Sequence, residues 1–415
     1  MDNERNLTLP ELLAPAGDRE RLGAAIEYGA DAVYLGSDKY GMRTAAASFG
    51  GDSLKEACDL AHSKGVKVYL TCNILPRNGE IDALPEFLAY AEDCGVDALI
   101  VTDLGVMLEA KKTVPDMEIH ISTQAGITNY ASANAFYNMG AKRVVLAREL
   151  SLEDIAEIRA KTPKELEIEC FVHGAMCVSF SGRCLLSNYL TGRDSNGGDC
   201  AQPCRWKYTL NEEKRPGMYF PIDETDEGTY ILNSKDMCMI EHIPALIAAG
   251  IDSFKIEGRA KSAYYTAVTV NAYRCALDAF AASGFSQDFV LPAWIKEEVL
   301  KASNRDYCTG FFFSDPQDDA QIFYRGGYIR DWDVAAVAVR WESGRLYATQ
   351  RNRFFEGDTL EIMEKGRPPV SLKVENLRNG EGEKVESAPH PTMELSIDCP
   401  FEVQPGAYLR KEREE

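Results

Sequence analysis

The sequence predicts a (β/α)8 barrel of the TIM type with a cysteine-rich insertion after strand seven, followed by a small C-terminal β-barrel domain. Three observations lead to this fold class. Apolar strand segments alternate with helical segments eight times between residues 11 and 280, and most strand starts lie about 20–34 residues apart. The interval between strands seven and eight is much longer and holds a cluster of cysteines. After about residue 329 the pattern changes to alternating apolar and polar residues with no helical period.

The eight predicted barrel strands are short apolar runs bounded by turns or polar residues. They cover residues 11–14, 32–35, 66–71, 98–102, 118–122, 143–147, 166–172 and 253–257. A doubly wound open sheet is the alternative for such a repeat. The chain has neither a Gly-x-Gly-x-x-Gly turn nor a phosphate-binding Gly-Lys-Ser/Thr loop, so nucleotide binding by an open sheet lacks support.

The predicted helices have recognisable starts and apolar faces. Asp18 can cap a helix that ends near residue 29, and Ser151 with Asp154 resembles a capping box that opens a helix to about residue 160. Residues 53–64 carry apolar side chains at a spacing of three and four, and a helix at 262–280 follows the last barrel strand.

The tail contains five predicted strands, at residues 334–340, 346–350, 359–362, 370–374 and 393–397, separated by Gly, Asn and Pro. We therefore predict two domains. The barrel covers residues 1–329, with the cysteine-rich insertion at 170–240, and the β-barrel domain covers residues 330–415.

Composition excludes several functional classes. The chain has 415 residues, with 45 Lys and Arg against 65 Asp and Glu, a net charge of −20. This balance excludes a uniformly basic surface for nucleic acid, although it leaves room for a local basic patch. No apolar run reaches the about 20 residues that span a bilayer, and the first residues do not form a signal peptide. We expect no membrane association and a cytoplasmic location.

The cysteines are the most informative residues. The chain has twelve, and the group in and near the long loop comprises Cys170, Cys177, Cys184, Cys200, Cys204 and Cys238. Zinc sites usually show closely paired cysteines or histidine partners, and only Cys200 and Cys204 form such a pair. A [4Fe–4S] cluster accepts looser spacing of four thiolates. The pattern favours an iron–sulfur cluster, with zinc and metal-free thiols as the alternatives.

Polar side chains at predicted strand ends are candidates for an active site, because barrel enzymes build their sites at the C-terminal ends of the strands. We predict that a first group is catalytic: Arg43, Gln124, His173, Lys255 and Glu257. We predict that a second group binds substrate: Ser122, Arg148, Arg183, Arg205, Arg259 and Lys261. The loops after strands seven and eight often bind phosphate or carboxylate groups, which suits Arg259 and Lys261.

The long loop also combines arginines with aromatic residues. Arg183, Arg193 and Arg205 are interleaved with Tyr189 and Trp206. Arginine and aromatic side chains together can clamp an unstacked base of single-stranded RNA. Against this, the acidic net charge opposes attraction to phosphate.

Several segments together resemble one known family. His-Gly-Ala-Met-Cys at 173–177 and Ser-Gly-Arg-Cys-Leu-Leu-Ser at 181–187 are similar to the signature of peptidase family U32, the collagenase-like peptidases. Segments at 11–17, 31–36, 122–124 and 253–259 extend the resemblance almost end to end. The length and the C-terminal β domain are most similar to the branch that hydroxylates the tRNA wobble uridine to 5-hydroxyuridine.

The resemblance implies a cofactor, a co-substrate and a partner. It implies that Cys177, Cys184, Cys200 and Cys238 hold a [4Fe–4S] cluster, with Cys204 or Cys170 as a substitute ligand. It further implies prephenate, a small dicarboxylate, as the oxygen donor, and the anticodon loop of tRNA as the partner. The oligomeric state stays open.

Three alternatives remain at this stage. The first is a U32-type peptidase, although the chain has neither a His-Glu-x-x-His motif nor a Gly-x-Ser-x-Gly elbow. A pair formed by His173 and a nearby thiol would then be the nucleophile. The second is a hydroxylase of ribosomal RNA or of a ubiquinone precursor. The third is a non-catalytic iron–sulfur protein.

Overall fold

The structure, a computed structural model, describes residues 8–41, 49–176, 184–193, 199–206, 224–225, 228–229, 234–313 and 328–413. Its strands up to residue 308 are, in chain order, β1 (Glu11–Pro15), β2 (Ala32–Gly36), β3 (Lys67–Cys72), β4 (Ala98–Val101), β5 (Glu118–Ile121), β6 (Arg143–Val145), β7 (Glu167–Ala175), β8 (Glu224–Thr225), β9 (Gly228–Thr229), β10 (Asp236–Cys238), β11 (Ser253–Ile256) and β12 (Tyr307–Cys308).

Eight parallel strands close into a barrel. Strands β1 to β7 pair in sequence order, and β11 pairs with both β1 and β7, which completes the ring. The predicted (β/α)8 barrel is therefore confirmed, and the open-sheet alternative is wrong. β7 runs past its predicted end to Ala175, where β10 pairs with it in the antiparallel direction and β12 pairs with β10.

The helices pack around this ring. They are α1 (Arg19–Glu27), α2 (Asp52–Ser63), α3 (Asn78–Ile81), α4 (Leu84–Asp93), α5 (Leu104–Thr113), α6 (Tyr130–Asn138), α7 (Leu152–Ala160), α8 (Leu186–Thr191), α9 (Ile243–Ala248), α10 (Ala263–Ala282) and α11 (Ala293–Leu300). Asp18 accepts a hydrogen bond from Arg21 N, and Ser151 forms the capping box with Asp154, both as predicted. No helix within the described ranges has the length and apolar character needed to cross a membrane.

The C-terminal part is an antiparallel β domain with its own core. Its strands are β13 (Trp332–Glu342), β14 (Arg345–Gln350), β15 (Phe354–Phe355), β16 (Thr359–Met363), β17 (Val370–Lys373), β18 (Arg378–Asn379), β19 (Ser387–Ala388), β20 (Glu394–Asp398) and β21 (Tyr408–Glu412). Seven of these form one sheet in the order β17, β16, β21, β13, β14, β20, β18. The five predicted tail segments all lie on strands of this sheet.

Arg410 joins the two domains. Its guanidinium is fully buried, and Nη2 donates to Glu298 Oε1 of α11 at 2.5 Å and to Glu361 Oε2 of β16 at 3.0 Å. Nη1 lies 3.2 Å from the Tyr264 hydroxyl of α10. Because these partners come from both domains, the β domain is held in a fixed position beside the barrel.

A buried ion-pair network crosses the barrel interior. Arg143 Nη1 lies 2.6 Å from Glu11 Oε1 and 3.0 Å from Glu169 Oε2, while Nη2 lies 2.6 Å from Glu167 Oε2. Lys255 Nζ donates to Glu169 Oε1 at 2.6 Å. β1 and β6 are not neighbours in the ring, so the contact between Glu11 and Arg143 must span the interior. Lys255, which we predicted to be catalytic, therefore belongs to this internal network.

The network predicts a loss of stability in acid. Burial alone would raise the pKa of Glu169, but Lys255 and Arg143 outweigh it and hold that pKa below the usual 4.5. The pKa of Glu11 is lowered in the same way, mainly by Arg143. A carboxylate with a lowered pKa stabilises the fold above its ordinary pKa, and this stabilisation disappears as the pH falls through the folded-state value. We expect the free energy of unfolding to fall steadily below about pH 4.5.

Urea unfolding at a series of pH values measures this effect. Glu169→Gln should be less stable at pH 7 and should show a shallower decline in acid than the unsubstituted protein. The exposed Glu153→Gln on α7 is the matched control and should follow the unsubstituted protein at every pH. Identical acid slopes for Glu169→Gln and Glu153→Gln would contradict the prediction.

Candidate active site at the barrel mouth

One side of the barrel mouth is lined by amides and hydroxyls that follow consecutive strands. Gln124 Oε1 accepts a hydrogen bond from Asn73 Nδ2 at 2.7 Å, and the Thr102 hydroxyl lies 3.4 Å away. Ser122 Oγ lies 3.5 Å from Gln124 Oε1 and caps the short 3-10 helix Thr123–Ala125. The predicted residues Ser122 and Gln124 are thus brought together. Sequence reasoning missed Asn73 and Thr102, although both directly follow a strand end.

The other side of the mouth carries two arginines and a carboxylate. Arg148 Nη1 donates to Ala175 O at 2.6 Å, and its guanidinium lies 3.8 Å above the Phe171 ring. Arg148 Nη2 is 3.8 Å from Glu257 Oε2. Arg259 is buried and donates from Nη1 to Thr71 Oγ1 at 3.0 Å.

Tyr34 connects the internal network to the mouth. Its hydroxyl lies 3.0 Å from Ile256 O and 3.4 Å from Glu257 Oε2. Lys255 Nζ lies 4.5 Å from the centre of its ring, and the Arg259 guanidinium lies 5.9 Å from it. A single aromatic ring therefore orders the three charged side chains at the end of β11. No sequence pattern predicts this role for Tyr34.

The mouth can bind a planar, polar molecule with an anionic group. Amide and hydroxyl groups on one side can both donate and accept hydrogen bonds. Guanidinium groups such as those of Arg148 and Arg259 suit carboxylate or phosphate. Glu257, 3.8 Å from Arg148 Nη2, supplies a carboxylate that can accept a hydrogen bond.

His173 has a different environment from the one we predicted. It is fully buried on β7, and its ring packs 5.5 Å from the Tyr273 ring and 5.3 Å from the Tyr307 ring. The Tyr307 hydroxyl lies 3.4 Å from His173 Nε2. Burial lowers the pKa of His173 to about 4, so the ring is neutral near pH 7. The side chain lies against α10 and β12, so a catalytic role, which stays a prediction, would need substrate to reach that position.

The structure also separates Lys261 from Arg259. Lys261 Nζ donates to Ser303 O at 3.3 Å and lies 3.7 Å from the centre of the Tyr328 ring, on the side of the C-terminal domain. Arg259 points into the mouth instead. We expected the two cations to bind one anion together, but Arg259 lies in the mouth and Lys261 lies beside Ser303 and Tyr328.

Only some of the remaining predicted residues lie within the described ranges. Arg43, Cys177, Arg183 and the side chain of Arg205 lie outside the described residues. The segment with Cys200 packs on α8, because Ala201 N donates to Ser187 Oγ at 3.0 Å. Gln202 N donates to Cys200 Sγ at 3.4 Å.

Cys238 lies on β10, opposite His173 of β7. Burial raises the pKa of its thiol to about 12, so metal binding there must displace a proton. In the described ranges, no group of three or more His, Cys, Asp or Glu side chains is arranged around a single metal ion. The predicted ligand set includes Cys177, which those ranges leave out, so the cluster stays a prediction.

A tight backbone contact fixes the end of β11 beside the loop after β1. A Cβ atom on Gly17 would lie 2.1 Å from Arg259 O, a distance that backbone atoms cannot accept. We expect Gly17→Ala to cost about 1–3 kcal/mol of unfolding free energy and to displace Arg259. Urea unfolding measures the first effect, and substrate KM measures the second.

Gly23 on α1 is the matched control, because a Cβ there meets nothing within 4 Å. Gly23→Ala should stabilise the protein by about 0.5–1 kcal/mol, since alanine favours the helix over glycine. Equal effects from the two substitutions would show that the contact of Gly17 with Arg259 is unimportant.

The closed barrel and its polar C-terminal mouth define a barrel protein with the layout of an enzyme active site. The model of Peptidase family U32 matches residues 17–322, and the model of its C-terminal domain matches residues 330–410. The chain belongs to peptidase family U32.

Relatives of this chain include proteins named for tRNA hydroxylation, a 23S rRNA 5-hydroxycytidine synthase of Escherichia coli and a protein named as a protease. The chain is 36% identical over 404 residues to tRNA hydroxylation protein P1 of Bacillus subtilis, covering 97% of this chain and 94% of that protein. It is 36% identical over 447 residues to tRNA hydroxylation protein P of Escherichia coli, covering 95% of each. It is also 45% identical over 312 residues to an uncharacterized protease of Methanocaldococcus jannaschii, covering 74% of each.

Proposed function

We propose that this chain is an RNA-modifying hydroxylase that converts the tRNA wobble uridine to 5-hydroxyuridine. The observation that carries the proposal is the similarity, through both domains, to proteins named for tRNA hydroxylation. The barrel mouth supports it, because its amides, hydroxyls, arginines and carboxylate suit a polar base and an anionic co-substrate. The peptidase alternative rests on the name of the family and on the name of another relative.

The amide side of the mouth would hold the base. A uracil ring offers two carbonyl oxygens and one N–H, and the amides of Gln124 and Asn73 can donate to the former and accept from the latter. Thr102 adds a hydroxyl beside Gln124 Oε1. These groups would fix the ring so that its C5 position faces the arginine side.

The charged side of the mouth would bind the anionic co-substrate and accept a proton. Arg148 and Arg259 would bind the carboxylates of prephenate, which we propose as the oxygen donor. Hydroxylation breaks the C5–H bond and forms a C5–O bond, and the carboxylate of Glu257 would accept the hydrogen as a proton. Prephenate would lose its hydroxyl group by cleavage of its C–OH bond, gain the two electrons that the base loses, and take up the proton. Tyr34, 3.4 Å from Glu257 Oε2, would hold the carboxylate in position.

We also propose that Cys177, Cys184, Cys200 and Cys238 hold a [4Fe–4S] cluster. Thiolates are the donors that iron–sulfur clusters use, and the segments of Cys184 and Cys200 are packed together through α8. The N–H of Gln202, which points at Cys200 Sγ, is the kind of hydrogen bond that tunes such clusters. When bound, the cluster would supply one-electron transfer.

The peptidase alternative needs a nucleophile beside a histidine. Among the described residues, no histidine is hydrogen-bonded to a serine or a cysteine: His62 contacts Asp97, and His173 contacts Tyr307. His173 is also fully buried. These contacts favour the hydroxylase.

One reaction mixture tests the proposal. Protein purified without oxygen is incubated with prephenate and a transcribed tRNA that has uridine at the wobble position, and the nucleosides are analysed by mass spectrometry. We expect 5-hydroxyuridine at that position only when prephenate is present. Parallel mixtures contain ribosomal RNA, a ubiquinone precursor or gelatin. Product in one of these mixtures, with unmodified tRNA, would replace the proposal by the corresponding alternative.

A further inference from the structure

A cleft lies between the barrel mouth and the C-terminal domain. Its volume is about 510 Å³. Ala175 and Glu257 line it from the mouth, and Gln202 lines it from the cysteine-bearing segment. On the opposite side the lining comes from residues 328, 330 and 332–334 and from Arg413. The cleft therefore connects the candidate active site with the β domain. The residues of the mouth by themselves do not explain what the β domain does.

Among the charged side chains that line the cleft, cations outnumber carboxylates by three to two, although the protein is acidic overall. Lys261, Arg330 and Arg413 line it, against the carboxylates of Glu257 and Asp333. Glu257 faces Arg148 at 3.8 Å, and Asp333 Oδ1 accepts from Arg413 Nη2 at 2.6 Å.

The three cations have different surroundings. Arg330 is exposed at the rim, and the side chain of Arg413 is 48% exposed despite its contact with Asp333. Lys261 is held by Ser303 and Tyr328. The three cations thus lie against different neighbours within one cleft. Several cations along one groove suit the phosphates of a nucleic-acid strand.

Aromatic rings accompany the cations. Tyr328 and Trp332 line the cleft, and Lys261 Nζ lies 3.7 Å from the centre of the Tyr328 ring. Grooves that combine positive charge with aromatic side chains are typical of proteins that bind single-stranded RNA.

We propose that this cleft binds the phosphodiester backbone of the RNA strand whose base enters the barrel mouth. The inference rests on the proposed function, since it names the part of the same substrate that the β domain holds. It assigns Arg330 and Arg413 to phosphate contacts in the cleft, which adjoins the mouth at Ala175 and Glu257.

Salt-dependent RNA binding tests the proposal. The probe is a fluorescein-labelled anticodon stem-loop RNA with uridine at the wobble position, and fluorescence anisotropy gives its Kd over a series of salt concentrations. Each phosphate contact contributes about 0.7 to the slope of log Kd against log salt for a single strand. Arg330→Gln and Arg413→Gln should each bind more weakly, with a slope lower by about that amount.

Two further variants separate charge from fold. Lys373→Gln removes an exposed cation from β17, the edge strand of the sheet, and should leave the Kd and the slope unchanged. Arg330→Lys keeps the charge and should keep the slope. Thermal unfolding of every variant confirms that the fold is intact.

Binding and hydroxylation are read separately, so the two proposals can fail separately. If the unsubstituted protein hydroxylates tRNA while both Gln variants bind RNA like Lys373→Gln, the cleft proposal is overturned and the proposed function stands. A change confined to the KM for prephenate overturns it as well. If the unsubstituted protein neither binds nor hydroxylates tRNA, both proposals are overturned.

Discussion

Replacing Arg143 with methionine is expected to lower the free energy of unfolding by about 3–5 kcal/mol, the usual cost of removing one partner from a buried ion pair. Arg143 is 4% exposed and contacts three carboxylates, those of Glu11, Glu167 and Glu169. Lys255 would remain beside Glu169, but Glu11 and Glu167 would lose the guanidinium that pairs with them. The substitution therefore leaves buried negative charge without its main partner.

Urea unfolding at pH 7 measures this loss against a matched control. Arg19→Met removes the same side chain from an ion pair with Glu56, in which both side chains are more than 60% exposed. Exposed pairs are worth about 0–1 kcal/mol, so the control should change stability little. Arg143→Lys keeps one charge but loses the fork that reaches three carboxylates, and it should fall between the two. Equal losses for Arg143→Met and Arg19→Met would contradict a stabilising network.

The fold was predictable because its signals are local. Each barrel strand is a short apolar run, and such runs recur with helices between them. Asp18 and Ser151 were predicted as helix caps from their side chains and neighbours alone, and both make those bonds. Closure of the ring followed from the count of eight strands, since a parallel sheet of that size commonly closes.

The internal network could not be predicted in the same way. Glu11 and Arg143 are 132 residues apart, and their contact exists only because the closed ring turns side chains of β1 and β6 into one interior. Each residue read alone is a charge at the start of an apolar strand, which is usually a solvated position. Ion pairing across the barrel interior depends on strand register and strand tilt, and neither can be recognised from a sequence pattern.

In the candidate site, too, some residue positions could be predicted from the sequence and others could not. Ser122, Gln124, Arg148 and Glu257 lie within three residues after a strand end, and parallel strand ends meet at one mouth, so their grouping was predictable. His173 was not, because alternation from Glu169 would place it inside the barrel. The pairing of β7 with β11 shifts register between Lys255 and Ile256, which adds one residue to β7 and turns His173 toward α10.

Replacing Cys184 with alanine is expected to abolish tRNA hydroxylation and to remove the iron–sulfur cluster that we propose. A [4Fe–4S] cluster takes one thiolate on each iron, so the loss of one ligand exposes an iron and destabilises the cluster. Protein purified without oxygen should contain about four irons and four sulfides per chain. Cys184→Ala should contain far less of both and should lose the visible absorption of the cluster.

Cys58→Ala is the matched control for Cys184→Ala, because Cys58 is a fully buried residue of α2 and lies outside the long loop. It should keep its iron, its sulfide and its activity. Cys204→Ala tests the substitute ligand in the same way, and retained iron there would assign the fourth position to another cysteine. Iron content in Cys184→Ala equal to that in Cys58→Ala would overturn the ligand set. Zinc in place of iron in the unsubstituted protein, with no gain of iron on reconstitution, would overturn the cluster and with it the one-electron chemistry proposed for the mouth.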